Sequence, residues 1–138
     1  MIVLDTNVIS EALRANPDPA VSKWSTSLDE RPRTTAVSVG ELRYGLAKMP
    51  RGRRRTALDA GIKALLSKFS PAEILAYDDA AAALFGDVLV TRERAGRPIQ
   101  LPDAQIAAIC LNFGATLATR NTRYFDGLGL TLVNPWTD

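Results

Sequence analysis

Polar side chains capable of chemistry begin where the first apolar run of the chain ends. Residues 2–4 are apolar and lead directly into Asp5, Thr6 and Asn7. This order is typical of a buried parallel strand that reaches the surface at its carboxyl end and presents polar side chains to a crevice. Asp5 is therefore the first candidate for a functional carboxylate, and other acids matter most if they reach it.

Three further polar side chains lie at comparable places in the expected fold. Glu41 lies one turn into the helix after the second expected strand, Asp103 opens a later helix, and Asn121 follows the fourth expected strand. The carboxyl ends of parallel strands meet at one edge of a sheet, so these side chains are expected to converge on Asp5. Carboxylates forced together raise one another's pKa unless a proton or a divalent cation lies between them.

The composition narrows the chemistry further. The 138 residues contain no histidine and a single cysteine, Cys110, which excludes an intrachain disulfide, a histidine-assisted nucleophile and the usual Cys/His zinc site. A metal must then be held by oxygen, which favours Mg²⁺ or Mn²⁺. Such an ion can bind a phosphodiester oxygen and lower the pKa of a bound water. The residues therefore predict hydrolysis of a nucleic-acid backbone.

Length and composition are those of one soluble globular domain spanning residues 1–138. Apolar residues make up 46% of the chain, charged residues 23%, and the formal net charge is +2. Asp5 breaks the first apolar run, no basic segment precedes it, and no window is apolar enough to span a membrane. We therefore expect a cytoplasmic protein with no membrane partner.

Apolar and β-branched runs alternate with helical patterns along the chain. Strands are expected at the N-terminus and at residues 33–37, 74–77, 115–118 and 131–133, and helices at 8–14, 20–28, 38 onward, 56–68, 79–95 and 102–113. This alternation predicts an α/β fold whose mostly parallel central sheet of about five strands has helices on both faces.

Each acid also has a purely structural interpretation. Asp5 could cap the helix that follows it, and Asp103 beside Pro102 is an ordinary helix opener. Ser38 and Glu41 have the spacing of a capping box, in which the glutamate bonds to the backbone at the start of the helix. The spacing alone leaves both interpretations open for each residue.

A basic cluster precedes the fourth expected helix, and it contains Arg51, Arg53, Arg54 and Arg55. Four cations at a helix N-terminus oppose the helix macrodipole, so helix stability does not explain them. They are either a solvated surface or a contact for RNA phosphates. Arg43, close to Glu41 on its helix, could equally bind RNA or pair with the carboxylates of the site.

Four stretches together resemble the PIN-domain ribonucleases, and among these the VapC-type toxins of type II toxin–antitoxin modules. They are Ile2-Val3-Leu4-Asp5-Thr6-Asn7-Val8-Ile9-Ser10-Glu11, Ser38-Val39-Gly40-Glu41-Leu42-Arg43-Tyr44-Gly45, Pro102-Asp103-Ala104-Gln105-Ile106-Ala107-Ala108 and Ala118-Thr119-Arg120-Asn121-Thr122-Arg123-Tyr124-Phe125. The resemblance spans essentially the whole chain. It implies an RNA substrate, a small cognate antitoxin as partner and, commonly, a homodimer.

The resemblance also implies roles for individual residues. Asp5, Glu41 and Asp103 match the acids that bind Mg²⁺ or Mn²⁺ and, with Asn121, make up the catalytic set. The resemblance also implies supporting positions, which here are Thr6, Asn7 and Thr119.

The fourth motif departs from the family pattern. Many relatives have an aspartate at the position of Asn121 or of Tyr124, and neither residue is acidic here. We expect one metal to bind well and a second only when substrate phosphate supplies ligands, although Asp126 is a possible substitute for the missing acid.

The alternative to a ribonuclease is a catalytically weak or inactive PIN-like module that binds RNA or antitoxin. A phosphotransfer enzyme of the haloacid dehalogenase group is disfavoured, because Asn7 stands where its second aspartate is needed.

Overall fold

The computed structural model describes residues 1–138 and contains five short strands and six α-helices. The strands are β1 (Ile2–Leu4), β2 (Thr34–Thr35), β3 (Ile74–Leu75), β4 (Thr116–Ala118) and β5 (Thr131–Val133). The helices are α1 (Thr6–Ala12), α2 (Pro19–Thr26), α3 (Ala36–Ala47), α4 (Arg53–Leu66), α5 (Asp79–Arg94) and α6 (Leu101–Phe113). Short 3₁₀ turns lie at Pro71–Glu73 and Thr122–Phe125. The predicted α/β class is confirmed.

The strands form two parallel sheets. The main sheet has the order β1-β4-β5, and β2 pairs with β3 separately. A single parallel bridge between Val3 and Arg33 links the two sheets. The prediction of about five strands in one central sheet was therefore wrong, because the main sheet has three. The Leu4 carbonyl accepts a hydrogen bond from the Thr34 hydroxyl at 3.1 Å, so a side chain takes the acceptor that a continued ladder would use.

The N-terminus of α3 also differs from the prediction. The helix begins at Ala36, and Thr35 is its N-cap, since the Thr35 hydroxyl accepts a hydrogen bond from the Ser38 backbone N–H at 3.0 Å. The alternative interpretation of Ser38 and Glu41 as a capping box is therefore wrong, and Ser38 is not the residue that caps the helix. Glu41 lies beyond the first turn, and its carboxylate is free for other contacts.

Burial of α6 organises the larger part of the core. Its residues 106–110 are all fully buried, and they pack with α5 and the main sheet. Pro102 stands in the first turn, and Gly114 ends the helix in a left-handed conformation with φ of 61°. Because the helix is held along its length, the position of Asp103 at its start is fixed relative to the sheet.

A smaller apolar cluster joins α1, α3 and α4. It contains Ile9, Leu42, Leu46 and Ile62, which are all buried. This cluster holds α3 against α1, and thereby sets the distance between Glu41 and the end of β1. None of the helices is both long and apolar enough to cross a membrane.

Candidate active site

A cavity of about 520 Å³ lies at the carboxyl ends of β1 and β4. The four residues of the predicted catalytic set all line it, as do Thr6 and Asn7 of the supporting set. The remaining lining residues are Ser10, Glu11, Arg14, Arg120, Tyr124 and Trp136. The tertiary structure thus brings together four side chains that are spread over more than a hundred residues of sequence.

Asp5 is the most buried of the three predicted metal-binding acids, with 4% of its surface exposed. One carboxylate oxygen accepts the Thr6 backbone N–H at 2.8 Å, as an N-cap does. The other accepts the Thr119 hydroxyl at 2.7 Å and the Asn7 amide at 3.4 Å. Burial raises the pKa of Asp5, and the bonds from Thr119 and Thr6 partly offset that rise. One oxygen of Asp5 therefore caps α1, and the residue also lines the cavity.

Thr119 is the centre of the hydrogen bonds around Asp5. Its single proton goes to the Asp5 carboxylate, while its oxygen accepts the Asn7 side-chain amide at 3.3 Å and the Asn121 backbone N–H at 3.1 Å. Asn7 is held from the other end as well, because its oxygen accepts the Arg120 backbone N–H at 3.2 Å. These bonds tie the turn after β1 to the turn after β4.

Glu41 is held by a chain of hydroxyl groups. The Thr6 hydroxyl oxygen lies 2.7 Å from a Glu41 carboxylate oxygen and 2.9 Å from the Ser38 hydroxyl oxygen. A hydroxyl has one proton and an ionised carboxylate only accepts, so the Thr6 proton goes to Glu41. The Thr35 and Ser38 hydroxyls continue the chain at a distance of 3.3 Å. Glu41 is thereby oriented toward the cavity by α1 as well as by its own helix.

Asp103 is half-buried in the first turn of α6, and its carboxylate has no salt bridge or hydrogen bond within the chain. Burial raises its pKa to about 6, and the negative charges of Asp5 and Glu41 add to the rise. Asp103 therefore lies close enough to Asp5 and Glu41 for their negative charges to act on its carboxylate.

No cation of the chain compensates these three acids, because Asp5, Glu41 and Asp103 take part in none of its salt bridges. Nowhere in the chain do three or more His, Cys, Asp or Glu side chains already stand close enough to hold a metal ion. Uncompensated carboxylates that share a cavity repel, which disfavours a tighter cluster of the metal-free groups. The donor set of oxygen atoms with excess negative charge fits a hard divalent cation completed by water or substrate oxygens.

Other residues singled out by the sequence lie elsewhere. Arg43 pairs with Asp59 of α4 at 3.2 Å and not with the carboxylates of the cavity. Asp126 does not line the cavity and pairs with Arg97 at 3.3 Å, so it does not replace the missing fourth acid. Cys110 is buried in α6, and burial raises the pKa of its thiol to about 12.

The basic cluster lies outside the carboxylate cavity. Arg51, Arg53 and Arg54 are exposed around the N-terminus of α4, whereas Arg55 donates to the Met49 carbonyl at 3.2 Å. Three of the four side chains are thus available to a partner, and the fourth helps to hold the loop between α3 and α4.

An ion pair between buried Glu11 and exposed Arg14 in the cavity wall was missed by reasoning from the sequence. Glu11 is 4% exposed, and both of its carboxylate oxygens accept from Arg14 at 3.0 Å. Its signal was present, because Asn7, Glu11 and Arg14 follow one another at the spacing of a single helix face. This pair places a guanidinium at the edge of the cavity.

Comparison with known proteins identifies the family of the chain. Residues 2–129 match the model of the PIN domain family. The chain belongs to the PIN-domain family. It is 39% identical to VapC ribonuclease Y4jK of Sinorhizobium fredii over 99% of this chain and 98% of that protein, and 34% identical to toxin FitB of Neisseria gonorrhoeae over all of both chains. The crystal structure of FitAcB from Neisseria gonorrhoeae matches all of both chains with a TM-score of 0.90 at 35% identity. The VapC-type resemblance is thereby confirmed.

The raised pKa of Asp103 predicts how the stability of the metal-free PIN domain depends on pH. Its pKa is about 6 in the folded chain and 3.8 ordinarily, so the folded state binds more protons between these values. The free energy of unfolding should therefore fall as pH rises through that window. Asp103→Asn should flatten the fall in part, since the pKa of Asp5 is raised as well. Urea unfolding in EDTA across the window measures the slope, and an unchanged slope in the variant would contradict the raised pKa of Asp103.

Proposed function

We propose that this chain is a ribonuclease toxin of a type II toxin–antitoxin module, which hydrolyses RNA phosphodiester bonds with Mg²⁺ or Mn²⁺ and is neutralised by a small cognate antitoxin. The observation that carries the proposal is the cavity in which Asp5, Glu41 and Asp103 meet without a compensating cation. The family supports it, since relatives covering almost all of the chain are named VapC ribonuclease and toxin FitB. An RNA substrate and a protein antitoxin imply action in the cytoplasm.

The three carboxylates have distinct surroundings, and we assign their roles accordingly. Asp5 is the anchor of the site, because three hydrogen bonds orient its carboxylate. Asp103, whose oxygens have no partner in the chain, and Glu41, oriented by Thr6, complete the ligands of a cation. When bound, Mg²⁺ or Mn²⁺ supplies Lewis acidity toward a phosphodiester oxygen and lowers the pKa of water.

Asn121 is proposed to contact substrate or water through its amide. Its backbone is fixed by the bond from its N–H to Thr119, and its side chain is exposed in the cavity wall. An amide brings no negative charge, so the site carries one anion fewer than a four-acid site. We therefore propose one resident cation, with a second bound only when a substrate phosphate contributes ligands.

The carboxylate mechanism predicts a large loss of RNA cleavage in Asp5→Asn and Asp103→Asn. Both changes preserve side-chain volume and remove one charge, and we expect cleavage rates to fall by about 100-fold or more. The assay is cleavage of labelled structured RNAs by purified, antitoxin-free protein with Mg²⁺, with Mn²⁺ and with EDTA. Asp59→Asn is the matched control, since Asp59 pairs with Arg43 and Lys63 outside the cavity.

The same assay separates the alternative function from the proposed one. A wild-type chain that binds RNA or antitoxin but does not cut under any metal condition would be a PIN-like binding module, as the absence of a fourth acid suggests. Equal cutting by both variants in EDTA would instead rule out the carboxylate–metal mechanism.

The exposed arginines of the basic cluster are proposed to contact RNA phosphates. Arg54 also lines a groove between α1, α3 and α4 that includes Thr6, Arg14 and Glu41 of the carboxylate cavity. The groove therefore connects a surface of positive charge with the proposed site of cleavage. A phosphate backbone that follows the groove would meet guanidinium groups before it reaches the carboxylates.

Neutralising two of these arginines should change the salt dependence of RNA binding. For Arg53→Gln with Arg54→Gln, we expect the slope of log affinity against log salt to flatten by roughly 1 to 1.5, because two phosphate contacts are lost. Fluorescence anisotropy with single-stranded RNA measures the slope. Lys23→Gln with Arg94→Gln is the charge-matched control on α2 and α5. If both double variants show the same salt slope, the basic cluster is a solvated surface and not an RNA contact.

The apolar part of this groove is proposed to bind the antitoxin. Leu42, Leu46, Met49 and Leu58 line it, and it opens into the carboxylate cavity. An apolar segment of a small partner that fills the groove would also cover the entrance to the cavity. Neutralisation of the toxin would then follow from occlusion. The homodimer is proposed on the family resemblance alone.

Filling the groove should prevent antitoxin binding. Gly45 lies on α3 in the groove wall, and a Cβ there meets no atom within 4 Å. We expect Gly45→Trp to prevent co-purification with the cognate antitoxin, because the indole occupies the space that an apolar segment of the partner needs. Gly86→Trp on α5 is the matched control, since that glycine has equally open space and lines neither the groove nor the cavity. Co-purification of both variants at the wild-type level would reject the groove as the antitoxin site.

A further inference from the structure

The two aromatic side chains that line the carboxylate cavity come from other elements of the fold than its three metal-binding acids. Tyr124 and Trp136 are the only apolar residues among the twelve that line the cavity. They come from the segments that follow β4 and β5, whereas the three carboxylates come from the end of β1 and from α3 and α6. With Arg120, which precedes them in the same wall, they are called here the aromatic rim.

Tyr124 is an exposed ring on a fixed backbone. Its side chain is 47% exposed, its hydroxyl makes no hydrogen bond and its ring forms no aromatic pair within the chain. The backbone beneath it is held, because the Tyr124 N–H donates to the Asn121 carbonyl at 3.0 Å and the neighbouring Phe125 is 1% exposed. Packing within the chain therefore explains why an aromatic residue stands at Phe125, but it does not explain the exposed ring of Tyr124.

Arg120 is a guanidinium that lies over an aromatic face. Its Cζ atom lies 5.0 Å from the centre of the Trp136 ring, and it forms no salt bridge. Asn134 fixes both partners, since its amide donates to the Arg120 carbonyl at 3.4 Å and its oxygen accepts the Trp136 backbone N–H at 3.0 Å. A guanidinium stacked by its face keeps its N–H groups free at the edge, where they suit a phosphate.

We propose that the aromatic rim is a subsite for one unpaired nucleotide of single-stranded RNA. The ring of Tyr124 stacks on the base, and the guanidinium of Arg120 binds a phosphate of the same strand. This inference rests on the proposed ribonuclease function and names the form of RNA that the site accepts.

An unpaired nucleotide is the occupant that these contacts favour. In a duplex the faces of the bases are covered by their neighbours, so a protruding aromatic ring finds no face to stack on. In single-stranded or looped RNA the base is free, and stacking on an aromatic side chain is tolerant of base identity. The subsite therefore selects for the absence of pairing near the cut and not for a particular sequence.

Binding and stacking can be measured without cleavage on an Asp103→Asn background with Mg²⁺. The probe is a short single-stranded oligoribonucleotide with 2-aminopurine at successive positions, whose fluorescence is quenched when the base stacks. At one position we expect quenching on binding, and Tyr124→Leu should remove it and weaken binding about tenfold. Tyr124→Phe and Tyr124→Trp should retain both effects, because they keep an aromatic face.

Two controls make the result specific. Tyr44→Leu removes a tyrosine that is 65% exposed on α3 and lies outside the cavity, and it should change neither the quench nor the affinity. With a fully paired duplex as probe, Tyr124→Leu should bind as well as its parent. Unchanged quenching and affinity in Tyr124→Leu on the single strand, or an equal loss on the duplex, would overturn the subsite.

Failure of the subsite and failure of the proposed function give different results. If the wild-type chain cuts RNA while Tyr124→Leu binds and cuts as well as wild type, the ribonuclease function stands and the subsite falls. If Tyr124-dependent stacking occurs but the wild-type chain never cuts, the subsite stands and the ribonuclease function falls.

Discussion

The site depends on keeping one buried carboxylate, Asp5, in position inside a fold that offers it no cation. The chain does this with neutral donors, the Thr6 N–H, the Thr119 hydroxyl and the Asn7 amide. Each donor orients the carboxylate without cancelling its charge. An arginine or lysine in the same place would cancel the charge of the carboxylate, and it would thereby remove the affinity for a divalent cation.

The same principle explains the rest of the cavity. Glu41 receives its hydrogen bond from a threonine hydroxyl, and Asp103 has no partner in the chain. Arg14 pairs with Glu11 and Arg43 pairs with Asp59, while Arg120 lies over the ring of Trp136 and forms no salt bridge with the carboxylates. Negative charge is thus retained at the centre of the cavity while positive charge lies at its margins. This arrangement suits a polyanionic substrate that must approach a cation held among carboxylates.

The surroundings of the cavity divide into two regions with different chemistry. On the side of α1, α3 and α4 an apolar groove leads to the exposed arginines of the basic cluster. On the side of the chain end, the aromatic rim adds a ring and a stacked guanidinium. A partner that covers the groove and an RNA strand that uses the rim would meet at the carboxylates, so occupation of the groove can regulate the chemistry without altering any of its residues.

The positions of Asp5 after β1, of Glu41 within the helix after β2 and of Asp103 at the start of α6 were determined by the sequence, because strand and helix patterns are local and can be read in windows of a few residues. The family followed from four motifs in order.

The tertiary structure decided which groups hold the acids. The pairing of Leu4 with Ala118 places Thr119 beside Asp5, although 114 positions separate Thr119 from Asp5. It also decided that α3 begins at Ala36, which frees Glu41 from a capping box, and that the strands divide into two sheets. Those outcomes depend on strand register and on competition between side-chain and backbone donors for the same acceptors, which no local pattern contains.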